Sequence, residues 1–198
     1  MSELVISNPK STSQKAVLER FLTYWRTSKI RPYIQGKRVL DFGCGEHLRT
    51  LRAIQPLILQ GIGYDILFQG LPPQEIDAFK IFGSLDQIEE EIDCVTSLAC
   101  FEHIEPEFLP EILRNLFKVT SKQGKIIGTV PRPPAKPVLE FLSYKLGLID
   151  KTQILDHKIY YDKSSLKKQI QNTGWKMTHY STFQFGMNSF FVLEKGDL

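Results

Sequence analysis

The sequence predicts an α/β fold, a mostly parallel sheet with helices on both faces. Three observations carry this. Short, evenly apolar runs such as "KRVLDF" have the composition of strands covered on two sides. Stretches with apolar residues at three- and four-residue steps alternate with them, which is the order that βαβ units impose. The last two runs, "WKMTHYSTF" and "NSFFVLEK", read as a terminal antiparallel pair.

The elements follow in order. Residues 1–12 are Ser-rich and polar and read as a flexible tail, leaving 13–198 as a single domain. Val17, Leu18, Phe21, Leu22 and Trp25 share one helical face, and Pro32 should end that helix or follow its end. "KRVLDF" is the first strand, and "HLRTLRAIQPLI" is helical up to Pro56. "GIGYDI" and "AFKIF" are the second and third strands. The link between them, "LFQGLPPQEID", is short and carries a Pro pair, so a full crossover helix is not expected there. "DCVTSLACF" holds a fourth strand. "PEFLPEILRNLFKVT" is a helix with Phe108, Leu109, Ile112, Leu113 and Leu116 on one face and Pro106 in its first turn. "KQGKIIGTV" is a turn and a fifth strand, and "KSSLKKQIQNTGW" is a helix closed by Gly174.

Composition removes several function classes. A net charge of +3 fits solvated lysines spread over a surface, so no nucleic-acid partner is expected. Cys44, Cys94 and Cys100 form no disulfide framework and no zinc-type spacing, which fits the reducing cytoplasm and predicts no metal site. No run approaches the ~20 apolar residues of a membrane span, and the N-terminus lacks a signal-peptide pattern.

The chemistry should sit in the turn after the first strand, "VLDFGCGEHLRTL". In an open α/β sheet, ligands lie at the carboxyl ends of the strands near the point where strand order reverses. Gly43 and Gly45 let backbone turn sharply and approach a ligand. A dinucleotide fingerprint needs a third glycine where this chain has Leu48. Asp65 closes the second strand twenty residues past Gly45, where a carboxylate can accept from ribose hydroxyls. Together these indicate a ribose-containing cofactor. The alternative for Asp65 is a strand-end turn or cap residue.

At these residues the chain resembles the class I S-adenosylmethionine-dependent methyltransferases. "VLDFGCG" is similar to their first motif and "GYDI" to their second; "DCVTSLACFEHI" and "TSKQGKIIGTVP" are similar to their fourth and fifth strands. The resemblance spans roughly residues 31 to 195. It implies a Rossmann-like seven-stranded, mostly parallel sheet with one antiparallel strand, sandwiched by helices, and S-adenosyl-L-methionine as cofactor. It further implies that Asp41, Gly43 and Gly45 border the methionine portion, and that Asp65 holds the ribose with Ile66 on the adenine. Ser84 and Leu85 would lie near the adenine edge, and Leu98 and Ala99 beside the cofactor. His47 stands where many members have a glycine. It either contacts the cofactor or starts a helix and faces solvent.

The acceptor is read from the loops. "SLACFEH" is not the Pro-Pro-aromatic motif of enzymes acting on nucleic-acid amines, and "VPRPPAKP" offers no carboxylate for a catechol-type magnesium site. A small-molecule acceptor is expected, with oxygen among the atoms that could take the methyl. His103, beside Glu102, and His157 could act as base, each having a structural alternative. Tyr160 and Tyr161 follow His157 in a segment that resembles the stretch often facing the acceptor pocket. The insert at 132–156 is expected to form a lid over it, with a core helix or a homodimer contact as alternatives. Phe183, Phe185 and Met187 would line the same pocket or belong to the core. Two other functions stay open: a non-catalytic methyltransferase-like binding protein, and a nicotinamide-dependent oxidoreductase.

Overall fold

The computed structural model describes residues 23–138 and 156–196. The expected tail at 1–12, the helical face from Val17 to Leu22, and residues 139–155 of the expected lid lie outside the described residues.

Helix α1 (23–34) opens the described chain. It is followed by β1 (Arg38–Phe42), α2 (Arg49–Ile54), β2 (Gln60–Tyr64), β3 (Gln74–Ile76), β4 (Phe79–Phe82) and β5 (Ile92–Leu98). Next come α3 (Leu109–Val119), β6 (Thr120–Pro131), α4 (Lys163–Ile170), β7 (Trp175–Phe183) and β8 (Asn188–Lys195). The described strands form one sheet of order β3-β4-β2-β1-β5-β6-β8-β7. Strands β4, β2, β1, β5 and β6 run parallel, while β8 is antiparallel to both β6 and β7. These seven are the expected sheet, with β8 as its one antiparallel strand.

An eighth strand was not foreseen. Between β2 and β4 the chain makes one 3-10 turn at Ile66–Phe68, and then β3 pairs antiparallel with β4. The hairpin turn holds Asp77 at φ 55. Pro72 and Pro73 lack the N–H groups that a crossover helix would need, so the link satisfies its backbone on the sheet edge instead.

The apolar runs are buried on both faces because successive residues point to opposite sides. Leu40, Ile126, Phe191 and Leu193 face Leu109, Leu113 and Leu116 of α3 and Leu166 of α4. Val39, Ile127, Phe190 and Val192 face Ile30 and Ile34 of α1 and Ile54 of α2. Helix α1 therefore continues through Pro32 to residue 34, past the stop expected at that proline. Burial of Ile34 holds the last turn despite the missing N–H. Helix α3 begins at Leu109, so Pro110, not Pro106, occupies its first turn. Phe108 falls off its apolar face and is exposed.

Candidate functional site

Strand order reverses beside β1: the chain passes from β1 to β2 and β4, then returns to place β5 on the other side of β1. The crevice above the carboxyl ends of β1 and β5 is thus where the fold presents its loops to a ligand. Asp41 pairs in register with Thr96 across those strands, and Thr96 Oγ1 donates to Asp41 Oδ1 at 2.7 Å. Asp41 Oδ2 is buried and makes no hydrogen bond of normal geometry among the described residues, although the nearby Thr50 hydroxyl favours the carboxylate. Burial, with the charge of Asp65 adding to it, pushes the Asp41 carboxyl up to about 7.

Gly43 and Gly45 have φ of 81° and 61°, the left-handed region a side chain disfavours. A Cβ on Gly43 would also collide with Cys100 Sγ. Asp65 locks this turn: Gly45 N–H donates to Oδ2 at 2.8 Å, and Leu67 N–H donates to Oδ1 at 3.1 Å. Asp65 is therefore a cap residue, as its alternative reading held, yet each carboxylate oxygen keeps capacity for a further donor. Cys44 is buried under the turn, its thiol pushed up by burial and unsuited to nucleophilic work. Leu48 is buried with φ 49 at the start of α2, so the apolar side chain anchors the position where a dinucleotide turn would place glycine.

The other predicted residues fall along the same edge. Ile66 is 68% exposed beside Asp65. A cleft of about 420 Å³ lies between the ends of β2 and β4, lined by Tyr64, Ile66, Gly83, Ser84, Leu85 and Asn115 among others. Tyr64 stacks on Phe42 there, with ring centroids 4.9 Å apart. Leu98 ends β5 and Ala99 follows it, at φ 55 with its N–H donating to Thr129 O at 2.9 Å. His47 is exposed and approaches Glu46 Oε1 at 3.3 Å, the arrangement of a helix-start residue facing solvent.

The loop after β5 and the segment from residue 156 meet on one side of this edge. Lys158 N–H donates to Glu102 O at 2.8 Å, and Tyr161 N–H donates to Pro131 O at 3.1 Å. This seam brings His103 and His157 together, with ring centroids 4.8 Å apart. His103 Nδ1 lies 3.0 Å from Asp156 Oδ2, so it does not cap α3. His157 Nδ1 lies 3.1 Å from Tyr160 Oη. Burial, reinforced by His103, lowers His157 to about 4, leaving a neutral imidazole at physiological pH. Glu102 is only 1% exposed and is pushed up to about 7 by burial. Tyr161 is in the core rather than on an open pocket wall, its hydroxyl raised to about 12 by burial. Phe183 packs against the core on the α1 face, whereas Phe185 is almost wholly exposed.

Sequence reasoning missed Thr96, Asp156 and Arg26. Thr96 and Asp156 gave no signal, since strand register and loop closure bring them to their partners. Arg26 did give one. It lies four and eight residues before Ile30 and Ile34, on the stripe of α1 that is buried. A cation on an apolar stripe asks for a partner, and Glu102 interacts with it electrostatically.

The model for a Methyltransferase domain matches residues 15–180. No curated protein sequence matches the chain. Among solved structures, an S-adenosylmethionine-dependent methyltransferase from Archaeoglobus fulgidus superposes with TM-score 0.60 at 18% identity, covering 87% of this chain and 94% of that one. Magnesium protoporphyrin IX methyltransferase from Synechocystis PCC 6803, solved with S-adenosylhomocysteine, gives TM-score 0.53 at 15% identity, covering 99% and 90%. The pyocyanin biosynthetic protein PhzM gives TM-score 0.62 at 11% identity over 86% of this chain, which spans 54% of PhzM. These likenesses are of fold. No helix among the described residues is long and apolar enough to cross a membrane.

Proposed function

Since the chain belongs to the Methyltransferase domain family and is an S-adenosylmethionine-dependent enzyme, we propose that it methylates a small-molecule acceptor at oxygen. The observation that carries the cofactor assignment is the buried Oδ2 of Asp41, with no hydrogen bond of normal geometry among the described residues, beside a glycine turn clamped by Asp65. A buried anionic oxygen so placed is costly unless a donor or cation reaches it. The ammonium end of the cofactor meets that need, and the remaining acceptor capacity of Asp65 suits two ribose hydroxyls. The residues present therefore fit the group. Asp41, Gly43 and Gly45 would border its methionine portion, Asp65 its ribose, and Ile66, Ser84 and Leu85 its adenine, with Leu98 and Ala99 beside it.

When bound, S-adenosylmethionine supplies a methyl group already activated on a sulfonium. The chain's own work is then to hold the acceptor at attack distance, exclude water and receive a proton. We assign His103 and His157 to the acceptor side, with Tyr160 orienting His157. Tyr161 supports the pocket from beneath through the core. Three unpaired cysteines suit a reducing, cytoplasmic setting.

Calorimetry on the purified protein tests the cofactor reading. S-adenosylhomocysteine should bind, and Asp65→Ala should weaken it on the order of 100-fold, the loss of two hydrogen bonds to a charged acceptor. Absence of binding by the wild type overturns the proposal. Tight binding with no transfer to a panel of phenols, alcohols and carboxylates would favour the non-catalytic alternative.

A further inference from the structure

We propose that Glu102, His103 and His157 bind a divalent transition-metal ion on the acceptor side. One ligand atom from each of the three residues lies within 4.8 Å of the others. Two imidazoles and a carboxylate are the donor set that zinc and its first-row neighbours take in open sites, at roughly 2.0–2.2 Å from the ion. Ligand atoms around such an ion stand about 3.3–3.5 Å apart, so the cluster needs a closure of up to about 1.4 Å, within reach of side-chain rotations.

Two further observations favour an ion over a chance grouping. Glu102 is almost fully buried, and its Oε2 has no hydrogen-bond partner among the described residues. Each imidazole also has a partner at Nδ1. Asp156 holds His103 at Nδ1, and Tyr160 holds His157 at Nδ1. With Nδ1–H donating to these partners, Nε2 of each ring presents its lone pair, which is the outer-shell pattern of metal-ligating histidines. Arg26 is the cation that faces this cluster: it attracts the Glu102 carboxylate and acts on His157 electrostatically, without an ion pair to Glu102 within 4.0 Å among the described residues.

Three protein ligands leave positions for an acceptor oxygen. With Glu102 ionised, a divalent site carries one net positive charge, which an acceptor alkoxide or phenolate would neutralise. The ion would then lower the acceptor's pKa, and the two imidazoles would serve as ligands, not as the base that the sequence offers them as. This consequence rests on the acceptor-side reading, but the binding itself does not.

The test uses metal-stripped wild-type protein titrated with Zn²⁺ by calorimetry and with Co²⁺ by visible absorption. One ion per chain and a Co²⁺ ligand-field band are expected. Glu102→Gln and His157→Asn should each weaken binding at least tenfold, whereas His179→Ala, at an exposed histidine, should not. Circular dichroism checks that each variant folds. Failure of the wild type to bind either ion overturns the proposal, as does binding that both variants leave unchanged. S-adenosylhomocysteine binding by the metal-stripped protein is read separately, so loss of the metal site leaves the cofactor assignment standing.

Discussion

Replacing Asp41 with Asn should make the protein more stable at neutral pH, with a pH dependence that the structure fixes. Asp41 is 2% exposed, and burial raises its carboxyl from 3.8 to about 7. An acid whose folded pKa is raised keeps its proton in the folded state while the unfolded chain releases it. Stability is therefore lost as pH rises from 3.8, and the loss levels off above about 7. At 1.36 kcal/mol per pH unit, the cost is about 2 kcal/mol at pH 5 and about 4 kcal/mol at pH 8. An Asn at this position still accepts from Thr96 Oγ1, now 2.7 Å from Asp41 Oδ1, and it has no charge to desolvate. The stability difference between D41N and wild type should thus grow by about 2–3 kcal/mol, in favour of D41N, from pH 5 to pH 8. Urea unfolding of the cofactor-free proteins followed by circular dichroism at pH 5, 6, 7 and 8 measures it. Other titrating groups are common to both proteins and cancel in the difference. A difference that does not change with pH would refute the claim that burial costs the Asp41 charge more than its hydroxyl partners return.

The same carboxylate links cofactor binding to protons. S-adenosylmethionine, whose methionine end is cationic, should bind more tightly as pH rises towards 7 and release protons near pH 6; calorimetry in buffers of different ionisation enthalpy detects this, and D41N should abolish it. Gly43→Ala should cost about 1–3 kcal/mol, since φ 81° disfavours a side chain and Cys100 blocks the Cβ; a melting temperature within error of wild type would contradict the packing. Trp175→Phe removes the indole N–H that donates to Leu113 O at 2.8 Å and should cost about 1–2 kcal/mol in urea unfolding. Asp162→Ala breaks the capping box with Ser165 at the start of α4 and should cost about 0.5–2 kcal/mol by the same assay.

Much of the site was legible because its residues are close in sequence to the strands that carry them. A glycine turn after β1 and an acidic residue after β2 are local signals, and hydrogen bonds between Asp65 and Gly45 join them directly. His103 and His157 could each be named from their segments, but their meeting could not. They are 54 residues apart, and the seam that closes on Glu102 O brings them together. The expected function of Pro32 failed for a related reason. A local stop signal lost to the burial of Ile34 against the sheet.

The sequence by itself determined most of the strands and helices, though not β3 or the bounds of α1 and α3, and where backbone can bend. Those properties follow from side-chain periodicity and from the dihedral limits of Gly and Pro, which act over a few residues. Only the tertiary structure decided which polar groups lack partners. Desolvation and hydrogen bonding depend on neighbours brought in by strand register and loop closure. That is why the buried oxygens of Asp41 and Glu102, and the chemistry inferred from them, appear only once the chain is folded.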